Sequence, residues 1–356
     1  MVAPATGDPR VRGMRGLVAR FVAAGVDVND CLVIFERAQR WDDWCTAWCE
    51  AGDHREQLGR EALGVGRTVS AAEHLAAAAY YHFGKFLFLH DRDQYDEALR
   101  RSAQAYRDAA PLLSPPAERV EVPCQGASLP GYLRRPEGPP APVAILVGGL
   151  DATKEELHVF SDIFLRRGLA TLCFDGPGQG ESAAALPIRP DYEVGISAAL
   201  DVLAARADVR GDRVGVAGVS LGGYYAARGA AFDERVAALA SVSGPFDWGS
   251  CWDQLPPLSR QHLRLSAGLA NEEEARAFGA RFTLEGVAQG IRCPVLVIQS
   301  QRDARLPEEE KTRLVRDVGE GCQLVMYENG DHVCHNISYR YRPLVADWVA
   351  DALRPS

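Results

Sequence analysis

Val214-Gly215-Val216-Ala217-Gly218-Val219-Ser220-Leu221-Gly222-Gly223 decides the fold of this chain. The β-branched run up to Val219 reads as a short buried strand, and Tyr224-Tyr225-Ala226-Ala227-Arg228 behind it reads as an alanine-rich helix. Between them stands a G-x-S-x-G turn, Gly218-Val219-Ser220-Leu221-Gly222, in the strand–turn–helix order a nucleophile elbow requires. Gly218 and Gly222 flank the serine where a Cβ would clash, because the turn is tight and its two arms pack closely. Such a turn lifts the Ser220 hydroxyl above the sheet edge. The helix behind it points free backbone N–H groups at any anion formed there. The five-residue string alone is a weak signal in a glycine-rich chain. Its strand-before, helix-after setting is what makes Ser220 a nucleophile rather than a turn residue.

Outward from the elbow, strands of buried type alternate with helices. Residues 143–147, 170–174, 237–242, 295–298 and 323–327 are predominantly apolar, and helical stretches such as 154–167 and 192–205 separate them. That alternation predicts a mostly parallel sheet covered on both faces. Two short alternating runs before it, 119–123 and 129–134, predict a β-hairpin. Residues 246–290 contain no strand, only proline-marked and helical sequence, so residues 245–290 are expected as a helical insertion over the active site.

The first part of the chain, from Arg10 to about Leu113, reads as helical throughout. One helix is expected over 27–51, with Trp41, Trp44 and Trp48 on a single stripe that reads as core packing rather than a ligand platform. Ser70-Ala71-Ala72-Glu73 reads as a capping box opening a helix through Phe88, which carries Tyr80-Tyr81-His82-Phe83. Pro111, Pro115 and Pro116 end the helical part. The expected domains are therefore a helical cap, 1–116, and a catalytic domain, 117–356.

A serine needs a base, and the base needs an orienter. His332, in Gly330-Asp331-His332, follows the last predicted strand, and Asp303 follows the strand before it. Both then lie at the strands' carboxyl ends with Ser220, in the chain order Ser, Asp, His of α/β-hydrolases. His335 is the rival base and Asp247 the rival acid. The Gly-Asp-His turn favours His332, and the strand, Asp and following Pro307 favour Asp303. Leu221 and Leu150, the latter in Val147-Gly148-Gly149-Leu150-Asp151, are the expected oxyanion donors. Asp175-Gly176-Pro177-Gly178-Gln179-Gly180 has no Lys-Ser/Thr of a phosphate loop and reads as a brace for the elbow.

Composition limits the alternatives. Net charge is −9 and no Lys/Arg-rich block occurs, which argues against a nucleic-acid partner. Nine cysteines, an odd number in apolar or helical settings, suit a reduced cytoplasmic protein better than a disulfide scaffold. Cys45 and Cys49 lack a second ligand pair nearby, so they read as core and no metal is expected. No apolar run approaches about 20 residues and no leader-type segment opens the chain, so no membrane span is expected.

A narrower resemblance extends over nearly the whole chain. Gly25-Val26-Asp27, Trp41-Asp42-Asp43-Trp44, Tyr81-His82-Phe83, Gly148-Gly149-Leu150-Asp151-Ala152-Thr153-Lys154-Glu155-Glu156, Asp175-Gly176-Pro177-Gly178-Gln179-Gly180 and Gly330-Asp331-His332-Val333-Cys334-His335-Asn336 resemble the 2,6-dihydropseudooxynicotine hydrolase group. That group is similar to FrsA-like hydrolases and to fungal enzymes that shorten polyketides. The resemblance implies an α/β-hydrolase fold with an N-terminal helical domain and a lid, a buried site between the two domains, and hydrolysis of a C–C bond next to a ketone without a cofactor. It also implies the Ser220–Asp303–His332 triad. The expected partner is a small aromatic or polyketide-like molecule, with Tyr81, His82, Asp247, Trp248 and Cys251 as substrate-binding candidates. Carboxylesterase, thioesterase or acyltransferase chemistry on the same triad is the alternative reading, followed by a non-catalytic binding protein. A homodimer is a further expectation.

Overall fold

The computed structural model describes residues 8–354, and the expectation about the N-terminal segment bears partly on residues 1–7, outside that range. The chain divides into two compact units between Pro116 and Ala117. The first unit is helical: α1 (Pro9–Arg15), α2 (Val18–Ala23), α3 (Val28–Arg37), α4 (Trp44–Gly64), α5 (Ser70–Lys85) and α6 (Arg92–Ala109). Aspartates start three of them, since Asp8, Asp27 and Asp91 accept from the backbone N–H of Arg10, Asn29 and Gln94. The interior of the unit is aromatic. Phe21 lies 4.6 Å from Phe83 and 5.1 Å from Trp48, and Trp41 stacks on Trp44 at 5.5 Å. The tryptophan stripe is core, with all three rings buried.

Two details differ from the sequence reading. The helix expected over 27–51 is broken, because the Gln39 amide donates to the Phe35 and Glu36 carbonyls and ends α3. Asp43 then accepts from the Arg40 N–H and starts a new turn that carries Trp41. The capping box at Ser70 does not form. Ser70 is already inside α5 and buried, and Val69 occupies the cap position with no side-chain hydrogen bond.

The second unit is an eight-stranded sheet in the order β1-β2-β4-β3-β5-β6-β7-β8. Its strands are β1 (Ala117–Cys124), β2 (Ala127–Arg134), β3 (Ala141–Val147), β4 (Ala170–Phe174), β5 (Val209–Val219), β6 (Val236–Val242), β7 (Val295–Ser300) and β8 (Cys322–Tyr327). The hairpin β1–β2 and the β2–β4 pair are antiparallel, and all other pairs are parallel. Its helices are α7 (His158–Leu165), α8 (Glu193–Ala204), α9 (Leu221–Phe232), α10 (Pro257–Ser266), α11 (Glu272–Gly279), α12 (Glu310–Val318) and α13 (Ser338–Ala352).

Alternation along a strand sends successive side chains to opposite faces. Val143, Ile145 and Val147 of β3 join a core with Tyr192, Ile196 and Tyr225, while Ala144 and Leu146 join a second core with Phe160, Phe164 and Tyr341. Both faces are thus dry, as a parallel sheet demands. From β3 the chain turns one way to β4, and from β5 the other way to β6, so a crevice opens at the carboxyl ends of β3 and β5. The helix expected over 154–167 is shorter: residues 154–157 form turns, with the Lys154 N–H donating to Asp175, and α7 begins only at His158. The insertion between β6 and β7 holds α10 and α11 and closes back on its own start through an Asp247–Thr283 bridge. This is the α/β-hydrolase fold with an N-terminal helical extension and a helical lid insertion.

Candidate active site

The elbow is a backbone feature before it is a chemical one. Ser220 has φ 56° and ψ −131°, a conformation that costs on the order of 1–3 kcal/mol for a residue with a side chain and persists only where the surroundings impose it. They impose it from both sides, since the Ser220 N–H donates to Val242 at 2.8 Å and its carbonyl accepts from Gly223 at 2.8 Å. A Cβ on Gly218 would overlap the Gly222 carbonyl, and one on Gly222 would overlap that of Val147. Only glycine fits at either position.

Ser220 Oγ lies 2.7 Å from His332 Nε2, and His332 Nδ1 lies 2.7 Å from Asp303 Oδ2. With Nδ1–H donating to the carboxylate, Nε2 is left as the acceptor for the serine proton. Asp303 is 2% exposed. Burial alone would push its carboxyl up, but the neighbouring His332 charge and hydrogen bond, with the Arg305 N–H at 3.0 Å, outweigh it and hold the group below its ordinary value. It therefore stays ionised beside the imidazole.

The histidine loop is pinned at several points. Val333 and Cys334 adopt φ 65° and 56°, and the Val333 N–H donates to Ser243 Oγ at 3.0 Å. Ser243 itself donates its N–H to Ile298, and Ser300 Oγ donates to the Gly330 carbonyl. Asn336 accepts from the Asp331 N–H at 2.8 Å and donates to the Asn329 carbonyl at 2.9 Å, so Asp331 belongs to the turn. The rival acid Asp247 accepts from the Ser250 N–H instead.

Leu221 opens α9, and the loop after β3 runs alongside. A Cβ on Gly149 would sit 3.0 Å from that of Ser220 and 3.3 Å from the Leu221 nitrogen. Asp151, at φ 57°, faces His262 of α10, with Oδ2 3.7 Å from Nδ1 and both side chains buried. Next along, Lys154 has a fully buried ammonium 2.7 Å from each of Glu155, Asp175 and Glu181. Burial disfavours its charge, yet Asp175 and the two glutamates more than offset this and keep it protonated.

The remaining candidates fall in both units. In the first, the Tyr81 hydroxyl lies 2.8 Å from both the Asp53 and Glu56 carboxylates, donating to one of them, and accepts from Arg101, while buried His82 packs edge-on to Phe83 at 4.9 Å. In the insertion, Trp248 packs against Phe282 at 5.3 Å. Cys251 is buried with its thiol donating to the Asp247 carbonyl, and burial pushes that thiol up to about 12. Glu310, unnoticed in the sequence, accepts from the N–H groups of Phe246 and Asp247 and so holds the segment leaving β6. Ser243 and His262 were equally inconspicuous, and Lys154, although within the family-like stretch 148–156, gave no sign in the sequence of its burial. Among the described residues, no group of three or more His, Cys, Asp or Glu is arranged to hold a metal ion, and no helix is long and apolar enough to cross a membrane.

Residues 23–354 match the family described as "Esterase FrsA-like". The chain is 37% identical over 337 residues to the 2,6-dihydropseudooxynicotine hydrolase of Paenarthrobacter nicotinovorans, covering 94% of this chain and 91% of that one. It is 33% identical over 326 residues to "Hydrolase LUC6" of a Fusarium species, covering 77% of each. The crystal structure of a 2,6-dihydroxy-pseudo-oxynicotine hydrolase superposes with a TM-score of 0.87 at 35% identity, over 94% of this chain and 95% of that one. Family match, identity over nearly full length and a common fold agree, and the chain belongs to the FrsA-like family of α/β-hydrolases as a serine hydrolase.

Proposed function

We propose that this enzyme hydrolyses a C–C bond next to a ketone in a small aromatic or polyketide-like molecule, with Ser220 as nucleophile, His332 as general base and acid, and Asp303 as its orienter. The observation that carries the reading is the unbroken Ser220–His332–Asp303 hydrogen-bond chain in a protein 37% identical to 2,6-dihydropseudooxynicotine hydrolase. His332 takes the Ser220 proton as Oγ attacks the ketone carbon. The oxyanion accepts from the N–H groups of Leu221 and Leu150. Collapse restores the carbonyl as an ester to Ser220, and the C–C bond electrons leave with the second fragment. That departure is feasible only where a second carbonyl or an electron-rich ring holds the charge until imidazolium His332 protonates the carbon. Water, deprotonated by His332, then attacks the ester, and Ser220 leaves with the proton. Asp247, Trp248 and Cys251, in the insertion after β6, are the proposed substrate contacts.

Simple ester hydrolysis is the second reading, favoured by the family's description as esterase-like. The first half-reaction is common to both. Product analysis separates them: wild type and Ser220→Ala are incubated with aryl β-diketones and aryl esters, and fragments are identified by mass spectrometry. Paired acid and ketone products that vanish in Ser220→Ala are expected. Ester cleavage with every diketone untouched would overturn the C–C assignment.

A further inference from the structure

We infer that Gln179 is the positioning residue that sets the direction of the Leu150 N–H toward the oxyanion, an inference that rests on Leu150 being a donor. Its side-chain amide uses its whole hydrogen-bonding capacity. Nε2 donates to the Gly148 carbonyl at 2.8 Å and to the Gly149 carbonyl at 3.0 Å. Oε1 accepts from the Gly176 N–H at 3.1 Å and from the Tyr192 hydroxyl at 2.7 Å. Carbonyls can only accept and a backbone N–H can only donate, so the partners themselves settle which end of the amide is which. Gln179 is 4% exposed, and Tyr192 is fully buried, stacked on Tyr225 with centroids 3.8 Å apart.

The link to catalysis is the planarity of the peptide bond. The Gly149 carbonyl and the Leu150 N–H belong to one rigid trans unit and point in opposite directions. A donor fixed on the carbonyl therefore fixes the aim of the N–H. Gly149, on one side of that unit, has no side chain to resist its rotation. The Ala152 N–H also donates to the Gly149 carbonyl, at 3.2 Å, but it lies in the same loop and turns with it. Gln179 comes from a different loop, the one after β4, which has its own anchors. Asp175 accepts from the N–H groups of Lys154 and Glu181, its carbonyl accepts from Ser182 Oγ, and the Gly178 N–H donates to Leu186. Asp175 already joins the two loops through the Lys154 N–H, and the saturated Gln179 amide adds the clamp on the Gly148 and Gly149 carbonyls themselves.

Formation and breakdown of the acyl-enzyme both pass through an oxyanion, so a misdirected donor slows both steps while ground-state binding is little changed. The test uses p-nitrophenyl acetate and Gln179→Met, which keeps the length and removes every donor. Its kcat should fall by roughly 10- to 100-fold with KM nearly unchanged, somewhat less than the loss typical of deleting an oxyanion donor. In Gln179→Glu an ionised carboxylate faces two carbonyls and cannot donate, whereas its protonated form can donate to one. The maximum of kcat should therefore move to lower pH than in wild type, a shift that general loosening of the fold would not produce. Wild-type kcat in Gln179→Met, or a wild-type pH profile in Gln179→Glu, would overturn the assignment. If thermal melting shows that neither variant folds, Tyr192→Phe, which removes one bond to Oε1, should show a smaller loss confined to kcat, and an unchanged kcat there would overturn it. Leu150→Pro, which deletes the N–H, separates the two layers. Wild-type turnover in Leu150→Pro would remove Leu150 as donor and Gln179's role with it, whereas its loss alongside unaffected Gln179 variants would refute Gln179 alone.

Discussion

Asp151 Oδ2 lies 3.7 Å from His262 Nδ1 with both side chains buried, so the loop carrying Leu150 and helix α10 of the insertion meet inside the protein. Asp151 makes this contact from a left-handed backbone, φ 57°. Aspartate and asparagine tolerate that conformation, whereas a β-branched residue does not. Asp151→Val should therefore be less stable than Asp151→Asn by about 1–2 kcal/mol from the backbone alone. Urea unfolding of the two variants measures the difference, and equal stabilities would show that the loop relaxes freely.

In the proposed mechanism Asp303, 2.7 Å from Nδ1, sets the tautomer of His332. In Asp303→Asn, a side chain with a donor facing Nδ1 would reverse the tautomer and leave Nε2 protonated toward Ser220. The fold should be retained while kcat falls by about 10⁴-fold, the scale seen when a triad acid is made neutral in place. Steady-state hydrolysis of an aryl ester checks it, and a loss of only a few-fold would place the orienting role elsewhere.

Glu181 ties the charge network under the β3 loop to acid stability. Burial pushes its carboxyl up, but Lys154 and Arg119 outweigh this and hold it at about 2, below its ordinary 4.5. The unfolded chain therefore takes up the proton first on acidification. The stabilisation is complete above pH 4.5 and is lost as pH falls toward about 2. Glu181→Gln should lower Tm at neutral pH, and the gap to wild type should narrow once the pH drops below 4.5. Parallel Tm curves through that range would rule out an ionised Glu181 as the source.

Much of the sheet was legible because each strand carries its own signal. Val143 to Val147 is apolar on both faces, which marks a central parallel strand, and the G-x-S-x-G turn places Ser220 at its neighbour's end. Asp303 and His332 followed from strand order, since residues far apart in sequence must share one edge of a parallel sheet. Breaks within helices were harder to read, because Gln39 and Asp43 interrupt the stretch 27–51 with side-chain hydrogen bonds that have no periodicity. Supporting groups were hidden for a different reason. Glu310 and Lys154 stand in charged runs, Lys154-Glu155-Glu156 among them, and their burial depends on partners 21 to 64 residues away.

The tryptophans are shared evenly between the units, with Trp41, Trp44 and Trp48 in the first and Trp248, Trp252 and Trp348 in the second. In the first unit, Trp41 and Trp44 stack at 5.5 Å and 24°, close enough for their electronic transitions to mix. The helical unit should consequently show an exciton couplet in far-ultraviolet circular dichroism. Its melting can be followed optically, apart from that of the sheet, without any label.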